Sequence, residues 1–194
     1  MRLETKRLLL REYEPDDAEA VHRYASDPLV TEHTIWGPNA EADTRGYLEL
    51  VREMRLAQPR SGYELAMTLR EDGTLIGGCG LHVSEPLQGE IGYCLNRDYW
   101  RQGYASEAAE ALLRFGFGTL GLHRIYATCR PGNIGSAKVM RHIGMQYEGR
   151  LREHMRHKGA WHDSFLYSIL EQEYADRDRE VPAGDPSEGK ESGA

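Results

Sequence analysis

The segment NRDYWRQGYASEAAEALL, residues 96–113, constrains the possible folds most, because a glycine and small residues stand where a helix must begin. The strongly helical run starts directly after Gly103, and Ala105 keeps its first turn small. Small residues there allow a ligand to approach the backbone closely. The free N–H groups and the positive dipole end of a helix also suit an anion such as phosphate. The segment therefore indicates either a phosphate-binding loop or an ordinary junction between a loop and a helix.

Strand-like and helical segments follow one another in an order that predicts a mixed α/β fold. The apolar pattern predicts a strand, two helices, three strands, a helix, a strand, a helix and two strands. These segments are, in chain order, KRLLLREY, EPDDAEAVHRYASD, AEADTRGYLELVREMRLA, GYELAMTL, TLIGGCGLHV, GEIGYCLN, the helix from Gln102, HRIYATCR, NIGSAKVMRHIG and two strands around Lys158-Gly159. A right-handed crossover through the helix from Gln102 would place its N-terminus at the carboxyl end of the preceding strand. A mixed sheet with helices on both faces accommodates this order.

Length and charge limit the class of protein. The 194 residues suit one domain, which we place at residues 1–175. Residues 176–194 are charged and rich in glycine, proline and serine, so we expect a disordered tail there. The formal net charge of −7 argues against nucleic acid and anionic membranes as partners.

Cysteine usage and apolar runs indicate the compartment. The three cysteines, Cys79, Cys94 and Cys129, lack the spacing of metal ligands and predict reduced thiols. No apolar run has the length of a signal peptide or a membrane helix. We therefore expect a cytoplasmic protein.

Five segments in this order resemble the GNAT superfamily of acyl-CoA-dependent N-acyltransferases, and more narrowly the branch of ribosomal-protein N-terminal acetyltransferases. They are TKRLLLREY, GTLIGGCGL, EIGYCLNRDYWRQGYASEA, GLHRIYATCRPGNIGSAKVMRHIGM and EGRLREHMRHKGAWHDSFLYSIL. The resemblance spans roughly residues 5–174. It implies an α/β (α+β) fold whose mixed, mostly antiparallel sheet is splayed at the cofactor site. It also implies acetyl-CoA as cosubstrate and transfer of its acetyl group to a primary amine, either a protein N-terminus or a small molecule.

The resemblance assigns cofactor contacts to two segments. The backbone N–H groups of the signature loop would hold the pyrophosphate of coenzyme A. That loop consists of Trp100, Arg101, Gln102, Gly103, Tyr104, Ala105 and Ser106. The backbone of Tyr93, Cys94 and Leu95 would pair with the pantetheine arm as a short strand does. The Cys94 thiol could instead carry the acyl group covalently, but the sequence places no histidine or asparagine partner beside it.

The resemblance also suggests catalytic groups. Asn133 and Ser136 match the family's Asn-x-x-Ser and would contact the cofactor's amide arm and thiol end, although Asn133 also suits a helix cap. Many superfamily members carry a tyrosine seven residues after that asparagine as proton donor, whereas this chain has Met140. Ser136 is therefore our candidate donor to the thiolate. Glu90 is our candidate base, with Glu64 as the second choice.

Other functions remain open at this stage. The main alternative is a non-catalytic acyl-CoA sensor or scaffold, which Met140 favours because it replaces the usual proton donor. A site for a free nucleotide at Gly103 is a weaker alternative. Alternation along strands should separate His154, His157 and His162, so we expect no metal site. The expected partners are acetyl-CoA and an amine acceptor, and the resemblance leaves a homodimer open.

Overall fold

An eight-stranded sheet forms the centre of the fold, in a computed structural model that describes residues 1–180. Its strands are β1 (Arg2–Glu4), β2 (Leu8–Arg11), β3 (Gly62–Leu69), β4 (Leu75–Glu85), β5 (Gln88–Leu95), β6 (Arg124–Cys129), β7 (Gln146–His157) and β8 (Ala160–Leu170). The helices are α1 (Ala18–Ala25), α2 (Glu41–Leu56), α3 (Tyr104–Gly118), α4 (Ile134–His142) and α5 (Glu171–Glu180). No helix within residues 1–180 is long and apolar enough to cross a membrane.

Local polar groups and one glycine set the helix ends. The Asp43 carboxylate accepts a hydrogen bond from the backbone N–H of Ala40, which caps α2. The side chain of Asn133 accepts from the N–H of Ser136 and caps α4. Helix α4 ends before Gly144, whose φ of +82° an L residue rarely adopts.

The sheet opens at one position, between β5 and β6. The strand order is β1-β2-β3-β4-β5-β6-β8-β7, and every neighbouring pair is antiparallel except β5 with β6. β5 and β6 pair only where Gln88–Glu90 faces Arg124–Tyr126. Beyond Glu90 the two strands diverge. The predicted mixed, mostly antiparallel and splayed sheet is therefore confirmed.

Side chains alternate between two apolar cores, one on each face of the sheet. The larger core joins α3 and α4 to the sheet and includes Ile91, Leu112 and Ile125. The smaller core lies beneath α1 and α2 and includes Val21 and Tyr24. Because a strand presents successive side chains to opposite faces, β4 and β5 contribute to both: Leu75 and Cys94 pack on the smaller core, while Ile76 and Ile91 belong to the larger one. Helices thus cover both faces, as predicted.

The two chain ends differ from the predicted elements. The predicted first strand, KRLLLREY, contains β2, and a further strand that was not predicted, β1, precedes it and pairs with it. Helix α5 continues through Glu180, whereas the tail was predicted to begin at residue 176. Tyr174 packs on Phe117 with ring centroids 5.1 Å apart, and Arg177 donates to the carbonyl of Ile143. These long-range contacts order a segment whose own sequence is highly charged. The remainder of the predicted tail, residues 181–194, lies outside the described residues.

Candidate active site

The loop before α3 has the backbone shape of an anion-binding site. Gly103 is the residue that caps α3, and its φ of +81° lies in the left-handed region that glycine adopts without strain. No side chain of the described residues caps this end of the helix. The N–H groups of Tyr104, Ala105 and Ser106 belong to the first turn, where a helix offers no internal acceptor. They remain available as donors at the positive end of the helix dipole.

Arg7 holds this loop from the other end of the sequence. Its Nη1 donates to the carbonyl oxygen of Gln102 at 2.8 Å, and its Nε donates to Glu107 at 2.7 Å. Its guanidinium also lies over the Tyr104 ring, 4.3 Å from the centroid. Sequence reasoning missed Arg7, since 95 residues separate it from Gln102. The ion pair with Glu107 offsets much of its positive charge, so Arg7 fixes the shape of the loop more than it adds to the local field.

Trp100 attaches the loop to the end of β5. Its indole Nε1 donates to the carbonyl of Leu95 at 2.9 Å. The Leu95 carbonyl, expected to face the cofactor arm, is therefore engaged within the protein. Arg101 adopts a φ of +60° next to the tryptophan, which turns the chain sharply toward α3.

A groove of about 1390 Å³ runs from the start of α3 to the opened edge of β5. We call it the α3 groove. Its walls are the predicted loop, the strand end and the start of α4, and it includes Arg7, Tyr93, Cys94, Leu95, Trp100, Arg101, Gly103, Tyr104, Ala105, Ser106, Asn133 and Ser136. The structure thus brings together nearly all the predicted cofactor residues. Gln102, whose side chain donates to the carbonyl of Asp98 at 3.1 Å, does not line the groove.

Two hydroxyl groups meet in the α3 groove. The Tyr93 hydroxyl lies 3.0 Å from Ser136 Oγ and 3.1 Å from the Ser136 carbonyl oxygen. Burial raises the pKa of Tyr93, so the phenol stays protonated at neutral pH. Asn133 is the cap of α4, as the capping interpretation predicted, and its Oδ1 lies 3.0 Å from the Ser136 nitrogen. Sequence reasoning considered only the backbone of Tyr93 and missed its hydroxyl.

Met140 does not occupy a proton donor's place. Its side chain is fully buried in the larger core, and it lines neither the α3 groove nor the cavity described next. Ser136 lines the α3 groove, whereas Met140, four residues later on α4, does not. Because an α-helix has 3.6 residues per turn, side chains four residues apart do not point in the same direction. The Met140 side chain therefore packs into the larger core, while Ser136 faces the groove.

A second cavity, of about 740 Å³, lies on the α1/α2 face of the sheet, and we call it the sheet cavity. Glycines at positions 78, 80 and 92 form part of its floor. A Cβ at Gly78 would lie 2.1 Å from the Tyr13 hydroxyl, and one at Gly80 would lie 2.6 Å from Glu64 Oε1. Glycine therefore allows these polar groups to lie flat against the strands.

The sheet cavity contains a connected set of titratable groups. His82 Nε2 lies 2.6 Å from Glu64 Oε1, and the Tyr47 hydroxyl donates to Glu64 Oε2 at 2.9 Å. The hydrogen bond with Glu64 raises the pKa of His82 more than burial lowers it. His82 faces Glu90 directly across the β4–β5 pair, and Glu90 accepts a long hydrogen bond of 3.4 Å from Thr128. Both predicted carboxylates thus line one cavity, and His82 lies near both.

The structure argues against a covalent role for Cys94. Cys94 is half-buried against the smaller core, and desolvation raises the pKa of its thiol to about 12. The thiolate is the nucleophilic form of cysteine, so a thiol of this kind is inert near neutral pH.

The histidines of the last hairpin are arranged differently from the prediction. Strand alternation was expected to separate them, but the rings of His157 and His162 stack with centroids 4.1 Å apart. The ring of His154 instead pairs with Ser164, at 3.1 Å. Within residues 1–180, no three histidine, cysteine, aspartate or glutamate side chains gather as metal ligands do.

The two cavities meet at the opened edge of the sheet. Both are lined by the same six residues: His33, Thr34, Tyr93, Cys94, Asn133 and Ser136. A ligand in the α3 groove and another in the sheet cavity would therefore contact each other there. This arrangement suits transfer of a group between two bound molecules.

Comparison with known proteins agrees with this geometry. Residues 7–146 match a family model described as an acetyltransferase (GNAT) domain. A protein of Bacillus subtilis (strain 168), described as the uncharacterized N-acetyltransferase YnaD, is 37% identical over 180 residues. The alignment covers 90% of this chain and 99% of that relative.

Solved structures give the same result. An acetyltransferase (GNAT family) from Bacillus anthracis has a TM-score of 0.79 and 37% identity, covering 89% of this chain and 99% of that chain. Mycobacterium smegmatis RimJ, solved in complex with CoA-disulfide, has a TM-score of 0.74 and 24% identity, covering 89% and 90%, and shares the fold. The chain therefore belongs to the GNAT family of acetyl-CoA-dependent N-acetyltransferases.

Proposed function

We propose that the protein transfers the acetyl group of acetyl-CoA directly to a primary amine while both substrates are bound. One observation carries this proposal: the α3 groove and the sheet cavity share the residues at the opened edge of β5. A thioester reaching that edge from the groove meets an amine in the cavity without an enzyme-bound intermediate. The inert Cys94 thiol agrees with a direct transfer.

The α3 groove supports a particular orientation of the cofactor. The pyrophosphate would accept hydrogen bonds from the first-turn N–H groups after Gly103, beside the guanidinium of Arg7. The pantetheine arm would lie along the unpaired edge of β5, where β6 has diverged. This orientation directs the thioester toward Tyr93 and Ser136.

The reaction needs two proton transfers. The amine nitrogen attacks the carbonyl carbon, the carbon–sulfur bond breaks, and coenzyme A leaves as a thiolate. Glu90 takes the proton that the amine loses, directly or through a water molecule, and Glu64 is the second candidate. Ser136 Oγ gives a proton to the thiolate and recovers one from water, while Tyr93 orients the serine hydroxyl.

The acceptor is either a protein N-terminal α-amine or a small primary amine. An α-amine with a pKa near ~8 is partly neutral at cytosolic pH and needs little help from a base, whereas a lysine amine near ~10.4 needs more. Carboxylates in the cavity favour either kind of ammonium before it is deprotonated.

Thiol release from acetyl-CoA tests this function with a panel of small amines and peptides that have free N-termini. We expect release with at least one acceptor, and Ser136→Ala should lower kcat by about tenfold to a thousandfold. Ser84→Ala is the matched control, because Ser84 is exposed and lines neither cavity. Binding of acetyl-CoA without thiol release for any acceptor would favour the non-catalytic sensor instead.

A further inference from the structure

A buried arginine in the sheet cavity has no acidic partner among residues 1–180. Arg130 lines the cavity just after β6 and exposes 9% of its surface. The other buried charges are paired: Asp17 with Arg11 at 2.7 Å, and Glu12 with Arg60 at 2.8 Å. Arg130 Nη1 makes one long hydrogen bond of 3.4 Å, to the Asp163 carbonyl, and Nη2 has no partner within the described residues.

The neighbours of Arg130 do not neutralise its charge. Burial lowers its pKa, and no described carboxylate acts in the opposite direction. Desolvation lowers the pKa of His157, and the positive charges of Arg130 and Lys158 lower it further. Burying an unpaired cation is costly unless a ligand or another group supplies the missing charge. An anion bound in the cavity would supply it.

The position of Arg130 relative to the acidic groups limits the shape of such an anion. Residues 126, 128 and 130 follow one face of β6, opposite the core residues 125 and 127. Thr128 contacts Glu90, and Arg130 is the next residue on that face, about 6–7 Å farther along the chain. An acceptor with its amine at Glu90 would therefore reach Arg130 with a group only a few bonds away.

We propose that Arg130 binds a carboxylate of the acceptor, so that the acceptor is a primary amine with a carboxylate a few bonds from its nitrogen. Two sources supply this chemistry: the α-carboxylate of a free amino acid and the side chain of an acidic N-terminal residue of a peptide. The inference rests on the proposed function, since it assumes that the amine lies in the sheet cavity. In this arrangement the amine of the acceptor lies at Glu90 and its carboxylate lies at Arg130.

Equilibrium binding of acetylated products to the CoA-saturated enzyme tests the inference without turnover. N-acetylglycine is compared with N-acetylglycinamide, and an N-acetylated peptide amide beginning with Asp is compared with one beginning with Asn. The member with the additional carboxylate should bind about ten- to a hundredfold more tightly in at least one pair, and the pair identifies the source. Equal binding within both pairs would overturn the proposal, even if no variant folds.

The variant Arg130→Gln should reduce that preference to within about threefold, with little change for the neutral member of the pair. The matched control is Arg156→Gln, which should retain the preference, because Arg156 is an exposed arginine of β7 that does not line the sheet cavity. If both variants lose the carboxylate preference equally, the preference arises from the general positive charge of this region and not from a site at Arg130. That result would also overturn the proposal. A carboxylate preference that depends on Arg130 supports the inference even if thiol release fails with every acceptor, so the two proposals fail separately.

Discussion

Replacing Gly103 by alanine should both destabilise the fold and weaken binding of coenzyme A. The backbone at this position has φ +81° and ψ 0°, where an L side chain costs about 1–2 kcal/mol. The added Cβ would meet only Arg7 Nη2, at 3.3 Å, so little of the cost comes from crowding within the protein. The unfolding free energy should fall by about 1–2 kcal/mol, and Tm by about 2–8 °C for a domain of this size.

The other end of the same helix offers a matched control. Gly118 is the last residue of α3, and a Cβ there meets nothing within 4 Å. Its backbone is not in the left-handed region, so Gly118→Ala should leave stability unchanged or raise it by up to about 1 kcal/mol. The same methyl group should thus have opposite effects at the two ends of α3.

Urea unfolding and titration with coenzyme A measure the two effects. Under the proposed function the Cβ of Gly103→Ala would lie where the pyrophosphate approaches the backbone, so this variant should weaken CoA binding at least about tenfold, whereas Gly118→Ala should not change it. Unchanged affinity in Gly103→Ala would show that the phosphates bind elsewhere. Equal stability of the two variants would show that the positive φ is not required.

Two further predictions concern protons in the site. Because Glu64 raises the pKa of His82, their interaction stabilises the fold fully below the unfolded histidine pKa of about 6.5 and fades as pH rises through the folded value. Glu64→Gln should therefore lower Tm more near pH ~5.5 than near pH ~9. It should also lower the pKa of His82 in an NMR titration. An equal decrease in Tm at both pH values would contradict the ion pair between Glu64 and His82. Tyr93→Phe should lower kcat, and the double variant with Ser136→Ala should be little worse than either single one, since the hydroxyls act together. If the effects of the two substitutions on kcat were additive, Tyr93 and Ser136 would act independently.

Local patterns predicted most of the fold, because the elements that surround the site carry their own signals. β3 was predicted at its observed bounds, and the glycine before α3 stands out in the sequence itself. His82 was not predicted as a site residue: a register shift between Val83 and Glu85 brings it opposite Glu90, and no sequence pattern marks that irregularity.

Contacts between distant segments could not be predicted in this way. Arg7 donates a hydrogen bond to the carbonyl of Gln102, which is 95 residues away in the sequence. No local sequence pattern distinguishes this arginine from the others. The family spacing matches Met140 with a proton-donating tyrosine of relatives, but burial of the Met140 side chain depends on how α4 packs on the sheet. The same holds for α5, which depends on Tyr174 and Arg177 finding partners in earlier segments.

Strand β5 explains why one short opening in the sheet can serve two substrates. Tyr93 packs toward the larger core and reaches Ser136, while Cys94 packs toward the smaller core, on the face that Glu90 shares by alternation. Under the proposed function, the proton donor Ser136, which Tyr93 contacts, and the base Glu90 therefore lie on opposite sides of β5. A continuous sheet would keep the two substrates apart, because paired strands leave no passage between faces. The divergence of β6 after Glu90 removes that barrier at the point where the thioester and the amine must come into contact.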